Sequence, residues 1–221
     1  MCNHYASDPE IQKELSTWRE FIGWSLKAPL PPELAELEEE VWPRREAAVV
    51  RHAAEAQGAV AEIMRWGVPL SLPGKRPGSV VTKHVTNVRN LDSLFWRGLL
   101  AKPEQRCLVP FTRFAEPKAG SGREEHWFHL PGQKLAAFAG VWRMAGEPRA
   151  QAGFDFSEAA PAQQKVFAFL TCEPNPLVAP LHPKAMPLIL HPEDYAAWLT
   201  ADWAEARKLV QPFPSQLMAV E

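Results

Sequence analysis

Proline is the residue that most constrains how this chain can fold. The sequence has 22 prolines in 221 residues, so that one interrupts the chain about every ten residues. Because proline breaks the interior of helices and of central strands, this density favours short strands and shaped loops over long helices. The length suits one domain with a substantial core, and 46% of the residues are hydrophobic. We therefore predict a single domain over residues 1–221.

Short apolar runs between the prolines predict many strands. The segments with the length and composition of strands are residues 59–69, 106–110, 113–116, 125–130, 135–142, 165–171 and 186–190. Helices are predicted from Asp8-Pro9 to residue 22, over 90–100, from Pro192 and over 202–210, and residues 30–50 are predicted to be an acidic loop with at most a short helix. Strands and helices do not alternate as β/α units. The predicted fold class is therefore α+β, with a core of many short, mostly antiparallel strands (a barrel-like sheet) flanked by helices.

The charge balance and the cysteine content argue against several classes of protein. There are 24 basic and 26 acidic residues, so any cationic surface for nucleic acid must be local. No apolar run approaches the roughly 20 residues of a membrane span, and the start lacks the features of a signal peptide. The expected location is a bacterial-type cytoplasm. No membrane partner is expected. Three widely spaced cysteines predict neither a disulfide framework nor a zinc site, and no metal or other cofactor is expected.

Cys2 is distinguished from the other cysteines by its position. If Met1 is removed, Cys2 becomes the first residue and carries a thiol and a free amine two carbons apart. Small second residues are common by chance, so position alone favours no function. Cys107 lies in an apolar run and is predicted to be a buried small side chain, and Cys172 is also predicted to be structural.

Four further residues have side chains suited to chemistry. Asn87 and Arg89 lie just ahead of a predicted helix. Glu116 ends a predicted strand, and His182 lies in a proline-flanked loop. Each has an ordinary interpretation, as a helix cap, an exposed strand end or polar loop surface. Together with Cys2 they match one reaction, and only the fold can bring them together, because they are spread over about 180 positions.

Six short motifs occur along the chain in the order in which they occur in a known family. They are Met1-Cys2, Trp66-Gly67-Val68-Pro69, Asn87-Val88-Arg89, the run from Arg106-Cys107-Leu108 to Glu116, Ala139-Gly140-Val141-Trp142, and His182 ahead of Met186-Pro187. On these motifs the chain resembles the SRAP (SOS response-associated peptidase) family of abasic-site processing proteins, which attach covalently to abasic sites in single-stranded DNA. The resemblance covers nearly the whole chain.

The resemblance implies a reaction of Cys2 after autocatalytic removal of Met1. The free amine attacks the open-chain aldehyde of an abasic sugar to give an imine, and the thiol adds to the imine to close a thiazolidine ring. Ring closure is intramolecular, and the product has no C=N bond left to hydrolyse. The implied activities are an autocatalytic peptidase and a crosslinking, lyase-type reaction in the DNA damage response. The implied partner is single-stranded DNA that contains abasic sites, and the expected state is a monomer.

The resemblance also implies roles for other residues. Asn87 would hold the N-terminal residue and the sugar, Glu116 would take protons from the amine and help release Met1, and His182 would shuttle a proton to the sugar ring oxygen. The implied DNA-binding residues are Arg89, Lys184 and His4 for phosphates, and Trp66 for stacking on a base. Trp66 is predicted equally well to be a buried core residue, and Trp142 is predicted to pack in the core.

Departures from the family pattern leave two alternatives open. Asn3-His4 stand where the family commonly has Gly-Arg, and the segment from His182 to Pro187 is one residue longer than the common form. The missing arginine leaves open a non-catalytic binder of single-stranded DNA. The other alternative is an N-terminal-cysteine hydrolase of an amide or acyl substrate, which would also need Met1 removed and would need an oxyanion hole.

Overall fold

The computed structural model describes residues 2–8, 31–54, 58–76, 79–118, 124–145, 150–151, 154–155 and 164–221. The helix predicted from Asp8-Pro9 to residue 22 falls almost entirely outside these residues. None of the described helices is long and apolar enough to cross a membrane.

Short strands form most of the regular structure in this part of the chain. They are β1 (His4–Ala6), β2 (Glu40–Val41), β3 (Glu46–Ala53), β4 (Gly58–Trp66), β5 (Val68–Pro73), β6 (Val80–Val85), β7 (Asn87–Val88), β8 (Arg106–Phe111), β9 (Arg113–Pro117), β10 (Glu125–His129), β11 (Ala136–Met144), β12 (Ala150–Gln151), β13 (Phe154–Asp155), β14 (Lys165–Cys172), β15 (Met186–Pro187), β16 (Ile189–Leu190) and β17 (Ala219–Val220).

The described helices are short, as the proline content predicts. The α-helices are α1 (Arg97–Leu100), α2 (Tyr195–Thr200) and α3 (Trp203–Ala206), and the 3-10 helices are Pro32–Glu36, Pro103–Gln105, Pro192–Asp194, Arg207–Leu209 and Ser215–Leu217. Three of the 3-10 helices begin at a proline, which has no N–H to lose in the first turn and a backbone angle suited to it. Asp202 caps α3 by accepting a hydrogen bond from the backbone of Glu205.

Five strands form a closed ring. They pair in the order β14, β4, β3, β8, β11, and β11 pairs back with β14. Only the β14–β4 pairing in this ring is parallel, and the others are antiparallel. A second sheet has the order β17-β10-β9-β1-β2. The predicted α+β class with mostly antiparallel strands is confirmed.

Alternate residues of the ring strands point into two separate cores, as the two-residue period of a strand requires. One face carries large aromatic side chains and packs against the second sheet through Tyr5, Phe114 and Phe128. The other face carries small side chains, such as Ala48 and Ala168, and packs against the C-terminal helices. Strand β1 lies between β2 and β9, so it brings the start of the chain to the aromatic core.

Several predicted boundaries are corrected by the structure. Residues 46–50, predicted to lie in a loop, form the first part of the ring strand β3. The segment 59–69 breaks at Gly67, where φ is +120°, into β4 and β5. The helix predicted over 90–100 is reduced to α1, and Leu94 on its predicted apolar face is 56% exposed. The last predicted strand, 186–190, is divided into β15 and β16.

Candidate functional site

Cys2 and Asn87 are in contact at the edge of the aromatic core. The side-chain amide of Asn87 donates a hydrogen bond to the backbone carbonyl of Cys2 over 3.1 Å. Asn87 reaches this position because β7 pairs in parallel with β14, opposite Phe169. The Cys2 side chain is fully buried, and its Sγ lies 3.3 Å from the His4 carbonyl and 3.7 Å from the Ala115 carbonyl. These contacts hold the carbonyl and the side chain of Cys2 in place.

Glu116 and His182 form the second half of the cluster. Glu116 follows Ala115 on β9 and is fully buried, and its Oε2 lies 3.5 Å from His182 Nδ1. The same His182 nitrogen lies 2.7 Å from the backbone carbonyl of Ala185. A neutral imidazole whose Nδ1–H donates to that carbonyl keeps Nε2 as its proton-accepting nitrogen. The structure therefore brings together all four residues predicted to be catalytic.

Burial controls the protonation of this cluster. It raises the pKa of Glu116 to about 7, and the nearby carboxylate of Glu125 adds to the shift. It also raises the pKa of the Cys2 thiol well above its ordinary value, and the charge of Glu116 acts in the same direction. Near neutral pH the cysteine is consequently a thiol, and Glu116 is poised between its acid and base forms.

Arg89 and Lys184 supply positive charge beside the cluster. Both side chains are exposed, and Arg89 lies 3.8 Å from the exposed carboxylate of Glu173. The pKa of His182 is lowered, first by burial and then by several charges that include Lys184 and Arg89. These cations are therefore near enough to the cluster to act on it and are open to a solvent-side ligand.

His4 is not placed as the prediction of a phosphate contact requires. It is only 3% exposed, its ring stacks on Trp42 with 3.7 Å between centroids, and Nδ1 lies 2.7 Å from Glu125 Oε2. Nε2 lies 3.4 Å from a carboxylate oxygen of Glu40. The ring is buried, and the two carboxylates beside it would repel a phosphate. The prediction of a phosphate contact is therefore corrected: His4 holds β1 in place.

Trp66 also does not lie at the surface where the stacking prediction placed it. Its side chain is 0% exposed, its ring stacks on Phe169, and its Nε1–H donates to the Thr86 carbonyl. No face of the ring is open to a base, so the core interpretation of Trp66 holds in the structure. Trp142 is partly buried against the aromatic core, and its Nε1–H donates to the Glu104 carbonyl.

The cysteines outside the site lie as predicted from their neighbours in sequence. Cys107 is fully buried in the aromatic core. Cys172 is partly buried against both cores, and burial raises its pKa to about 12. Neither thiol is activated in this environment.

Sequence reasoning missed Glu125, which contacts His4 and acts electrostatically on Glu116. It begins β10, paired beside β9, and only the register of these strands shows that it faces the cluster. Its position in the sequence, between Glu124 and His126, carries no such signal. Among the described residues there is no group of three or more His, Cys, Asp or Glu side chains that could hold a metal ion.

Comparison with known proteins supports the fold and the family. The family model described as SOS response associated peptidase (SRAP) matches residues 1–221. A crystal structure of a Bordetella bronchiseptica protein superposes with a TM-score of 0.68 at 24% identity, covering 99% of this chain and 98% of that one. A Bacteroides thetaiotaomicron protein gives a TM-score of 0.69 at 17% identity, with 99% and 90% covered.

A phage-related protein from Bordetella bronchiseptica gives a TM-score of 0.61 at 18% identity, with 100% of this chain and 93% of that one covered. At these identities the likeness shows the fold alone. A search of curated proteins found no match.

Proposed function

The chain belongs to the SOS response associated peptidase (SRAP) family, and on that premise we propose that it caps abasic sites in single-stranded DNA through a covalent bond to Cys2. Family membership supports a DNA-damage-associated role in abasic-site processing. The finer proposal is that Met1 is removed autocatalytically and that Cys2, then the first residue with a free amine, forms a thiazolidine with the sugar aldehyde. The observation that carries it is the convergence of Cys2, Asn87, Glu116 and His182 in one buried cluster.

The chemistry begins at the Cys2 amine. Its nitrogen adds to C1′ of the open-chain sugar, and loss of water gives an imine. The Cys2 sulfur then adds to C1′, and the thiol proton passes to the nitrogen. The new C–S bond closes a five-membered ring that contains N, Cα, Cβ, S and C1′. No oxidant or cofactor enters this balance.

Each neighbour has a defined task in this scheme. The Asn87 amide, held on the Cys2 carbonyl, aims the amine and fixes the residue during ring closure. Glu116, with a pKa of about 7, takes a proton from the amine and assists the cleavage that releases Met1. His182, neutral near pH 7, exchanges a proton with the sugar ring oxygen during ring opening. Arg89 and Lys184 bind the flanking phosphates.

The state of the thiol favours this reaction over the cysteine-hydrolase alternative. A cysteine that attacks an amide as its first step works as a thiolate, which a lowered pKa or an adjacent general base supplies. Burial instead raises the pKa of Cys2 well above its ordinary value. In the crosslinking scheme the amine attacks first, and the thiol reacts only within an imine already attached to it. A protonated, buried thiol is compatible with that order.

The test uses a single-stranded oligonucleotide with one uracil, converted to an abasic site by a glycosylase. Wild-type protein is expected to give a heat-stable band on a denaturing gel, and Cys2→Ala is expected to give none. Cys172→Ala is the matched control, since it removes a thiol outside the cluster and should crosslink as wild type does.

Two measurements separate this proposal from its rivals. Intact-mass analysis should show wild-type protein that lacks Met1, and correctly trimmed protein that forms no band would reject the proposal. Cys2→Ser can keep some hydrolysis under the hydrolase alternative, but it cannot form the stable ring. A heat-stable band with Cys2→Ser equal to wild type would therefore also reject the thiazolidine.

A further inference from the structure

Strands β5 and β6 form a ribbon that is separate from both main sheets. They pair with each other from Val68↔Val85 to Pro73↔Val80, and within the described residues neither strand pairs with any other. Nearly all of β6 is exposed, and Val80 at its start is 67% exposed. We call the two strands and the described residues that connect them, 68–76 and 79–85, the ribbon.

The ribbon carries a concentration of positive charge that the balanced composition of the chain conceals. Residues 67–90 contain Lys75, Arg76, Lys83 and Arg89 and none of the 26 acidic residues. The first three of these cations lie on the ribbon, and their side chains are exposed. A positively charged surface with no carboxylates in its own segment attracts a polyanion.

Both ends of the ribbon are fixed at the candidate site. The β5 strand begins directly after Trp66-Gly67, where the Gly67 N–H donates to the Phe167 carbonyl. The β6 strand ends at Val85, and the next two residues are Thr86, whose carbonyl accepts from Trp66, and Asn87, which binds Cys2. Any ligand held at Cys2 therefore lies at the base of a cationic ribbon.

Strand geometry sets the reach of this surface. At about 3.3 Å per residue, Lys83 lies roughly 13 Å along the chain from Asn87, and the far end of β6 lies roughly 23 Å away. A DNA strand has one phosphate for every 3.4 Å or so of helical rise, and an extended strand spaces them further apart. The ribbon thus spans no more than about seven nucleotides.

We infer that the ribbon binds the phosphate backbone of the single-stranded DNA that leads away from the abasic site. The inference rests on the proposed function for the identity of the strand at Cys2. The contacts are independent of sequence, because the ribbon offers point charges rather than base-reading groups. Lys75, Arg76 and Lys83 extend the DNA footprint beyond Arg89 and Lys184, which lie beside the reacting sugar.

The experiment compares two substrates and two triple variants. Lys75→Gln/Arg76→Gln/Lys83→Gln removes the ribbon charges, and Lys102→Gln/Lys134→Gln/Lys208→Gln removes the same charge from exposed positions on other elements. The substrates are a 25-nucleotide strand with a central abasic site and a trinucleotide with the same site, which is too short to reach Lys83. Crosslinking rates are measured at subsaturating protein in 50 and 200 mM salt.

On the long strand, loss of three phosphate contacts makes the dependence of log affinity on log salt shallower by about 2. Between 50 and 200 mM salt, wild type should therefore lose about twentyfold more of its rate than the ribbon variant does. On the trinucleotide the two proteins should react equally, and the control variant should match wild type on both substrates. Equal salt dependence of wild type and ribbon variant on the long strand would overturn the inference, and so would an equal loss in the control.

Failure of the proposed function gives a different result. Wild type would then crosslink neither substrate, and fluorescence anisotropy of the labelled 25-nucleotide strand tests the ribbon without any reaction. The same difference in salt dependence would sustain the ribbon as a DNA-binding surface, and its absence would overturn it. If the ribbon instead pairs with a second copy of the chain, sedimentation would show a concentration-dependent mass that the ribbon variant changes, and DNA binding would not change.

Discussion

The cluster around Cys2 and the adjoining ribbon are neighbours in the chain with opposite physical character. Cys2, Asn87 and Glu116 are almost completely buried, and burial sets the pKa values of the cluster. The β6 strand of the ribbon is exposed along nearly its whole length, and its charges face solvent. The contrast separates two tasks. A buried cluster can tune proton transfer because its environment is fixed, whereas the exposed cations of the ribbon attract a long polyanion through charge that solvent screens.

This division predicts how substitutions in the two regions will differ. Changes in the cluster should alter the crosslinking rate on every substrate and leave the salt dependence of that rate unchanged. Changes in the ribbon should alter salt dependence and the advantage of long strands, and leave the reaction on short substrates unchanged. A substitution that moves both properties together would show that the two regions are not independent.

Glu116→Gln should give the largest effect within this comparison. Gln keeps the size of the side chain but cannot accept a proton, and loss of a general base typically costs about a hundredfold to ten-thousandfold in rate. Glu116 is active as its carboxylate, and its pKa is about 7. The ratio of wild-type to variant crosslinking rate should therefore rise about tenfold between pH 6 and pH 8.

Taking the ratio of the two rates removes the titration of the Cys2 amine, which both proteins share. Glu205→Gln, at an exposed position, is the control and should behave as wild type. A ratio that is constant over this pH range would remove Glu116 as the base. Both rates are taken for the fraction of protein that lacks Met1. Intact-mass analysis of the same samples gives that fraction, which the proposed role in processing predicts to be smaller for Glu116→Gln.

Asn87→Ala should have a smaller effect on the same reaction. The change removes one buried hydrogen bond to the Cys2 carbonyl and leaves that carbonyl without its amide donor. A loss of this kind costs about 1–3 kcal/mol, so crosslinking should slow by about fivefold to 150-fold on the long strand and on the trinucleotide alike.

The pH profile identifies the role of Asn87. Because Asn87 does not titrate, the profile of Asn87→Ala should keep the wild-type shape at a lower rate. A shifted profile would show that Asn87 acts on the protonation of Glu116 rather than on the position of Cys2.

Strands with continuous apolar sequence could be predicted, and β3 could not. Strands β8, β11 and β14 lie within one or two residues of their predicted bounds, because each is buried on both faces and reads as an uninterrupted apolar run. The β3 strand begins with Glu46 and two alanines, which have little preference for strands, and its place is set by pairing with β4 and β8.

The candidate site likewise has parts that could be predicted from the sequence and parts that could not. The side-chain types of Cys2, Glu116 and His182 could be selected from their chemistry and from the family motifs. The sequence could not predict whether a neighbouring side chain faces the DNA, because exposure depends on strand register. His4, predicted at the DNA surface, is buried, and Trp66, predicted equally well at that surface or in the core, is buried as well. No site prediction included the ribbon cations at Lys75 and Lys83.

Gly67→Ala should give the smallest effect and the sharpest separation of the two regions. Gly67 has φ of +120° where the ribbon leaves the ring, and an added Cβ would lie 3.1 Å from His84 Cβ on β6. Backbone strain of this kind costs about 1–3 kcal/mol of folding free energy. Gly132→Ala is the matched control, since Gly132 also has positive φ, at +80°, but a Cβ there would meet nothing within 4 Å. Urea denaturation should show the larger loss of folding free energy for Gly67→Ala, because only that variant adds a contact against the ribbon to the backbone strain.

If the ribbon is displaced while the cluster is intact, Gly67→Ala should lose part of its advantage on the 25-nucleotide strand and keep the wild-type rate on the trinucleotide. An equal loss on both substrates would mean that the strain reaches Cys2 through Trp66, and that the buried and exposed regions act as one unit.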